Sequence, residues 1–262
     1  MKKILNNKLN SFLNDGYCIV DIFNKSNLEE LKRKIKIKIN KSLKSKSLKI
    51  KELKNYHKII DNNLHSNIID SSKRYIGLNK SYQNIILKNK FINYICKNYW
   101  GHEQKEITWV ASLKKKQVKK NSTAFRLARP MNLSIYGKQK KDVGGVHFDL
   151  FFGSAENYNY KALITIWCPL VGFTNSYTLR ISPKSHLKKH KKVNLDKQKK
   201  YLSPVFKTKY TKRFKYIRPN LKPGQAIIFH PNLLHGGSHN LGVNTRCSLD
   251  FRLTNPNILK FH

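Results

Sequence analysis

The segment LKPGQAIIFHPNLLHGG, Leu221 to Gly237, decides the fold. Pro223-Gly224 is a tight-turn signal, and Ala226 to Phe229 is a short apolar run of strand type. His235-Gly236-Gly237 then supplies an imidazole followed by two residues without side chains. A turn, an apolar strand and His-Gly-Gly deliver the histidine to the mouth of a barrel, where the glycines let backbone come close to whatever it holds. His235 is the candidate ligand. His230, beside Pro231 at the strand end, reads as structural, and His186 and His239 as supporting or surface residues.

From Ile107 onward the chain repeats this character, with short β-type segments separated by Gly, Pro, Asn and Lys. The segments are 107–113, 124–128, 131–136, 146–152, 163–168, 177–181, 226–229 and 246–253. Eight short strands predict a jelly roll, and no repeat with a period of about 20–50 residues suggests a solenoid. The basic stretches 114–120, 187–200 and 207–215 read as exposed loops, the last two able to form a lid.

Residues 1–105 read as mostly helical. Ser26-Asn27-Leu28-Glu29 has the form of a capping box with Ser26 as N-cap, and the following helix carries Leu28, Leu31, Ile35, Ile39 and Leu43 on one side and lysine on the other. A second helix is expected from Tyr82 to Tyr99, ending near Gly101. The fold class is thus α+β: one domain over 1–262, with a helical buttress over 1–105 and a jelly-roll core, a double-stranded β-helix, over 106–262.

Composition bounds the rest. The 262 residues are 39% hydrophobic and 11% aromatic, enough for a real core. Cys18, Cys96, Cys168 and Cys247 are far apart and form no CxxC pair, so neither a zinc ribbon nor a disulfide framework is indicated, and a reducing compartment fits. The start MKKILNNKLN is too polar for a signal peptide, and no apolar run is long enough to span a bilayer. The chain reads as soluble and cytoplasmic. Its formal charge of +39, from 53 Lys and Arg against 14 Asp and Glu, attracts polyanions at long range. Lysine-rich composition from an AT-rich genome explains much of the excess but not the scarcity of acids, which keeps an anionic substrate or surface in view.

The chemistry concentrates in His147-Phe148-Asp149 and His235, followed eleven residues later by Arg246 and then by Ser248. Side chains alternate along a strand, so His147 and Asp149 share a face and can hold one ion. Two imidazoles and one carboxylate form the facial set that leaves positions open on Fe(II) for a co-substrate and O2. The carboxylate also argues against a halogenase, where a small residue leaves that place to chloride, so hydroxylation is the expected chemistry. Residues 246–253 alternate with Arg246, Ser248, Asp250 and Arg252 on one face. An Arg fork beside a hydroxyl suits the distal carboxylate of a dicarboxylate such as 2-oxoglutarate. Asp250 and Arg252 either pair with each other or contact substrate.

The blocks Gly145 to Asp149, Ile164 to Leu170 and Leu179 to His186, with the His235 and Arg246 blocks, resemble the phytanoyl-CoA dioxygenase family in order and spacing. Asp15 to Val20, followed by a helix, resembles how that family begins. The resemblance implies a double-stranded β-helix, Fe(II) held by His147, Asp149 and His235, and 2-oxoglutarate as co-substrate on Arg246. Trp167 matches a tryptophan near the co-substrate, with core packing as its plain alternative. Thr165 shares its face. Departures are Pro183-Lys184-Ser185-His186 where members often have Pro-Gly-Ser-His, and Asn175-Ser176 where they have Asn-Gly; both lie outside the metal set.

The block Thr245 to Arg252, with Arg126 to Pro130, looks closest to members acting in sugar, aminocyclitol and surface-polysaccharide biosynthesis. The implied reaction couples decarboxylation of 2-oxoglutarate to succinate and CO2 with hydroxylation of a C–H bond in a small, anionic substrate. Arg126, Arg129, Asp250 and Arg252 are the candidates for binding it, with ordinary surface or structural pairing as the alternative for Arg126 and Arg129. Two other readings compete. A nucleic-acid demethylase resembling the AlkB family would use Arg246 and Arg252, but Arg246 follows His235 too closely and no Asn-x-Tyr-x-x-Gly precedes His147, so nucleic acid is not the expected partner. A metal-free jelly roll binding polyanions would leave His147, Asp149, His235 and Arg246 unexplained. Oligomeric state is not legible.

Overall fold

The computed structural model describes residues 1–44, 47–70, 73–103, 106–112, 117–131, 142–143, 145–149, 160–190, 195–196, 205–255 and 257–258. Helix α1 (Lys2–Asp15) ends at Gly16 in the left-handed region, φ 85°, and turns directly into strand β1 (Tyr17–Asp21). Helix α2 (Lys25–Leu43) starts two residues earlier than Ser26 implied. Its cap is Asn24, whose side chain accepts from the Asn27 N–H at 2.9 Å while the Asn27 side chain accepts from the Asn24 N–H at 3.2 Å. Asn caps as well as Ser, and the earlier start leaves Leu28, Leu31, Ile35, Ile39 and Leu43 buried as the pattern predicts.

Helix α3 (Asn62–Ile68) and strand β2 (Tyr75–Gly77) follow. The helix expected over Tyr82 to Tyr99 is two: α4 (Lys80–Leu87) and α5 (Lys90–Trp100). Asn89 breaks the run because its side chain accepts from the N–H groups of Phe91 and Ile92, which a continuous helix would bond to carbonyls.

Strands β3 (Ile107–Ser112), β4 (Gln117–Lys120), β5 (Ser122–Ala128), β6 (Leu163–Val171), β7 (Arg180–Ile181), β8 (Leu195–Asp196) and β9 (Val205–Phe206) come next. The short helix α6 (Thr208–Thr211) and strands β10 (Gln225–Phe229), β11 (His235–Gly236) and β12 (Arg246–Thr254) complete the order. Residues 117–120, expected in a loop, are a strand because they pair antiparallel with β3. The strand expected over 131–136 lies, beyond Met131, outside the described residues, as do 150–152 and 191–194.

The main sheet runs β1-β10-β6-β12-β3-β4, with β5 pairing β12 and carrying β2. The helical part therefore supplies two strands to the sheet it was expected only to buttress. Facing it is a smaller sheet in which β11 pairs β7, extended by antiparallel bridges of His147 to His235 and Ile181 to Ile217. Trp167, Ile227 and Phe229 from the large sheet pack with Leu179, Ile181, Leu221 and Leu233 to join the two. The larger apolar cluster lies on the other side, where α2, α4 and α5 pack on Ile164, Ile166, Leu249 and Phe251. This is the double-stranded β-helix with a helical buttress. No described helix is long and apolar enough to cross a membrane.

Candidate metal and co-substrate site

His147 and His235 meet because their backbones pair: each N–H donates to the other's carbonyl at 2.9 Å. The Asp149 N–H donates to the Pro231 carbonyl at 2.8 Å, fixing the third ligand on the same framework. One donor atom from each of His147, Asp149 and His235 lies within 4.8 Å of the others.

Tautomers support a metal. The Nδ1 of His147 is 2.7 Å from the Gly145 carbonyl, and the Nδ1 of His235 is 2.8 Å from the Leu233 carbonyl. A carbonyl only accepts, so Nδ1 carries the proton in both rings and Nε2 is the ligating atom. Burial, with His235 4.4 Å away ring to ring, pushes His147 down to about 4, which favours the neutral ligand form.

Asp149 is buried and held from both sides. Arg252 Nη2 donates to Oδ1 at 2.9 Å, and the Thr165 hydroxyl donates to Oδ2. Burial would raise its pKa, but Arg252, then His235 and His147, hold it below the usual carboxylate range. Asp250 takes Arg126 on Oδ2 and Arg252 Nη1 on Oδ1 at 3.5 Å. Arg252 thus bridges the two carboxylates. Of the four residues expected to touch substrate, Arg252 and Asp250 are engaged with each other and with their neighbours. Arg129 is closed off: its side chain gives two bonds to Asp142 and one to Asn62, its backbone N–H a further one to Asp142, and of the four only Arg126 keeps about a third of its side chain exposed, 36%.

Arg246 differs. It is buried, no carboxylate pairs with it among the described residues, and its Nη1 has no hydrogen-bond partner. Burial pushes its pKa down to about 10, still charged at neutral pH. A buried guanidinium with unused donors is what a dicarboxylate's far end requires. Ser248 is buried two residues along the same strand, beside a bulge between Cys247 and Ser248. Trp167 stands opposite Asp250 and packs in the cluster between the sheets, and Thr165 spends its hydroxyl on Asp149. His230 is outside the triad: its Nε2 is 3.0 Å from the Tyr99 hydroxyl and its Nδ1 accepts from the Asn232 N–H.

One feature escaped the sequence. His65 Nε2 lies 2.8 Å from Asp142 Oδ1, the Tyr56 hydroxyl lies 2.9 Å from His65 Nδ1, and Arg129 clasps the same carboxylate. This buried network ties α3 to the segment five residues before His147. Nothing in the spacing of His65, Arg129 and Asp142 reveals it.

Residues 12–248 match the family described as Phytanoyl-CoA dioxygenase (PhyH). Solved structures with the same fold include the epimerase SnoN in complex with Fe3+, alpha ketoglutarate and nogalamycin RO, at 12% identity and TM-score 0.56, covering 97% of this chain and 85% of that one. The alpha ketoglutarate dependent carbocyclase SnoK aligns at 12% identity and TM-score 0.55, over 95% and 83% of the two chains. EctD from S. alaskensis with bound Fe aligns at 13% identity and TM-score 0.52, over 96% and 77%. No protein of curated function matches the sequence.

Proposed function

The chain belongs to the phytanoyl-CoA dioxygenase family of Fe(II)- and 2-oxoglutarate-dependent oxygenases, and from that premise we propose that it hydroxylates a C–H bond of a small anionic metabolite, such as a sugar, nucleotide-sugar or surface-polysaccharide precursor. The observation that carries the site assignment is the pairing of a tautomerically prepared His147, Asp149, His235 triad with a buried Arg246 whose Nη1 is unpartnered. Iron with 2-oxoglutarate and O2 supplies the oxidation, at the cost of the keto acid, which leaves as succinate and CO2.

The residues' work is positioning. Gly145 and Leu233 carbonyls aim the two imidazoles, while Thr165 and Arg252 fix the Asp149 carboxylate. Arg246 holds the far carboxylate of the co-substrate, with Ser248 beside it, and Trp167 walls the same chamber. Arg126 is our choice for the substrate's anionic group, since its side chain is the one of the four still open to solvent, with Asp250 and Arg252 orienting it. We read 1–262 as one dioxygenase domain, supported by β1 and β2 lying in the main sheet. Four buried free cysteines support a reducing, cytoplasmic setting.

The test is an anaerobic titration of 2-oxoglutarate into Fe(II)-loaded protein, following the visible band of a chelated keto acid, with Asp149→Ala and Arg246→Ala for comparison. A saturable band that both variants weaken supports the site. Its absence from folded native protein refutes it. Succinate release driven by anionic sugars, and lost in Arg126→Gln, tests the substrate class.

A further inference from the structure

Two arginines and a histidine gather at the end of the small sheet, and no described acid forms an ion pair with the arginines. Arg180 pairs in register with Gly236, the residue after the ligand His235. The antiparallel bridge of Ile181 to Ile217 places Arg218 directly across from Arg180 on the other side. Like charges opposed across a ladder repel. Ile181 packs between the two sheets, so alternation turns Arg180 to the outer face of the small sheet, where its guanidinium stacks 5.6 Å from the Tyr216 ring centroid.

The hydrogen-bond account of this corner does not close. Arg180 Nε and the Tyr216 hydroxyl are both buried and without a partner. Arg218 Nε donates to Ser238 Oγ at 3.1 Å, and no described carboxylate forms an ion pair with Arg180 or Arg218. His239 is depressed by burial, then by Arg180 and Arg246. Of the 14 acids, the side chains of all but Glu156 and Asp196 are described, and none of those pairs with Arg180 or Arg218. Arg218 and His239 are exposed, so an incoming anion can reach them, while the buried Arg180 Nε and Tyr216 hydroxyl are donors costly to leave unsatisfied. Arg129 and Arg252, by contrast, are held in buried ion pairs with Asp142 and Asp149.

We propose that Arg180, Arg218, Tyr216 and His239 form an oxyanion site on the outer face of the strand that carries His235, taking a phosphate-type group. It is separate from Arg246, which serves the co-substrate's carboxylate, and it stands whether or not the metabolite hydroxylated is anionic. Two guanidinium groups, a phenol and an imidazole supply donors from several directions, which suits a tetrahedral oxyanion better than a planar carboxylate.

The experiment is calorimetric titration of inorganic phosphate, and in parallel of a hexose 6-phosphate, into the full-length protein at about 0.15 M NaCl, where loose surface attraction is screened. Native protein should bind with one-site saturation. Arg180→Gln and Arg218→Gln should each weaken binding about ten- to a hundredfold, and Tyr216→Phe less. The charge-matched variant Lys41→Gln, an exposed position on α2 outside this corner, should bind as native. Tighter binding of the hexose phosphate assigns the site to an organic phosphate, and equal binding to the free ion. Absence of saturable binding overturns the proposal, as does equal weakening by the lysine variant. A loss of 2-oxoglutarate binding in Arg180→Gln matching that of Arg246→Ala also overturns it, by placing Arg180 in the co-substrate site. Glu156→Gln and Asp196→Asn test an internal partner: if either strengthens phosphate binding, that residue is the counter-charge and the proposal fails.

Discussion

Arg252→Met should destabilise the metal-free protein far more than the metal-loaded one. Arg252 is 2% exposed and touches Asp149, itself 1% exposed, at 2.9 Å and Asp250 at 3.5 Å. Methionine keeps much of the volume and removes the charge, leaving Asp149 without a cation. Breaking one side of a buried ion pair costs about 3–5 kcal/mol. At about 2–4 °C per kcal/mol for a chain approaching this size, the melting point should fall by roughly 6–20 °C. A divalent ion on His147, Asp149 and His235 restores the missing positive charge at Asp149, and Asp250 keeps Arg126. Loading with Zn(II), which does not react with O2, should therefore recover most of the loss, so that metal raises the variant's melting point more than the native protein's. Melting curves of both proteins with and without Zn(II) decide it. A metal-free variant melting within about 2 °C of native would refute the argument that Arg252 stands in for the metal's charge, and so would a loss that Zn(II) leaves untouched.

Other outcomes follow from the same contacts. Arg246→Leu should weaken 2-oxoglutarate binding by roughly 10- to 150-fold, as expected for charged hydrogen bonds of about 1.5–3 kcal/mol, while leaving Zn(II) binding intact; calorimetry with each ligand checks it. Asp142→Asn should cost about 3–5 kcal/mol in urea unfolding at pH 7, because Arg129 then lies buried with no counter-charge. Burial pushes Asp142 up, but His65 and Arg129 outweigh it and hold it below the usual range. Its stabilisation is therefore present above the unfolded value near 4 and lost as pH falls through the lower folded value, so the gap between native and variant should narrow from pH 5 toward pH 3. Gly224→Ala should cost at least about 2 kcal/mol, because φ is 89° and a Cβ there would sit 2.0 Å from the Phe23 carbonyl oxygen; wild-type-like unfolding would contradict it.

The sequence pattern exposed the strands that bury both faces or alternate cleanly. Residues 163–168, 226–229 and 246–253 lie within β6, β10 and β12, because apolar runs bounded by Pro and Gly have few other solutions. Ligand chemistry was legible for the same reason, since His-x-Asp shares a face whatever surrounds it. Strands made by pairing alone were hidden. Gln117–Lys120 looks like a basic loop and becomes a strand only beside β3, and Asn89 looks like helix until its side chain caps the next one. Partnerships across long separations were hidden too: Arg252 with Asp149, His65 with Asp142, and the opposition of Arg180 to Arg218 depend on where the folded chain returns.

The place of β1 has a consequence for how the molecule is made. Tyr17 pairs Phe229 and Asp21 pairs Gln225, so β1 waits during synthesis for a strand made about 200 residues later. At about 5–20 residues per second that wait is roughly 10–40 s. Through it the buried side of β1, Cys18 and Val20, has no sheet to join, and β10 must arrive before His235 can meet His147. His147 and Asp149 therefore wait about 90 residues of synthesis for His235, and the nascent chain has no complete metal site to misload until β10 and β11 have been made.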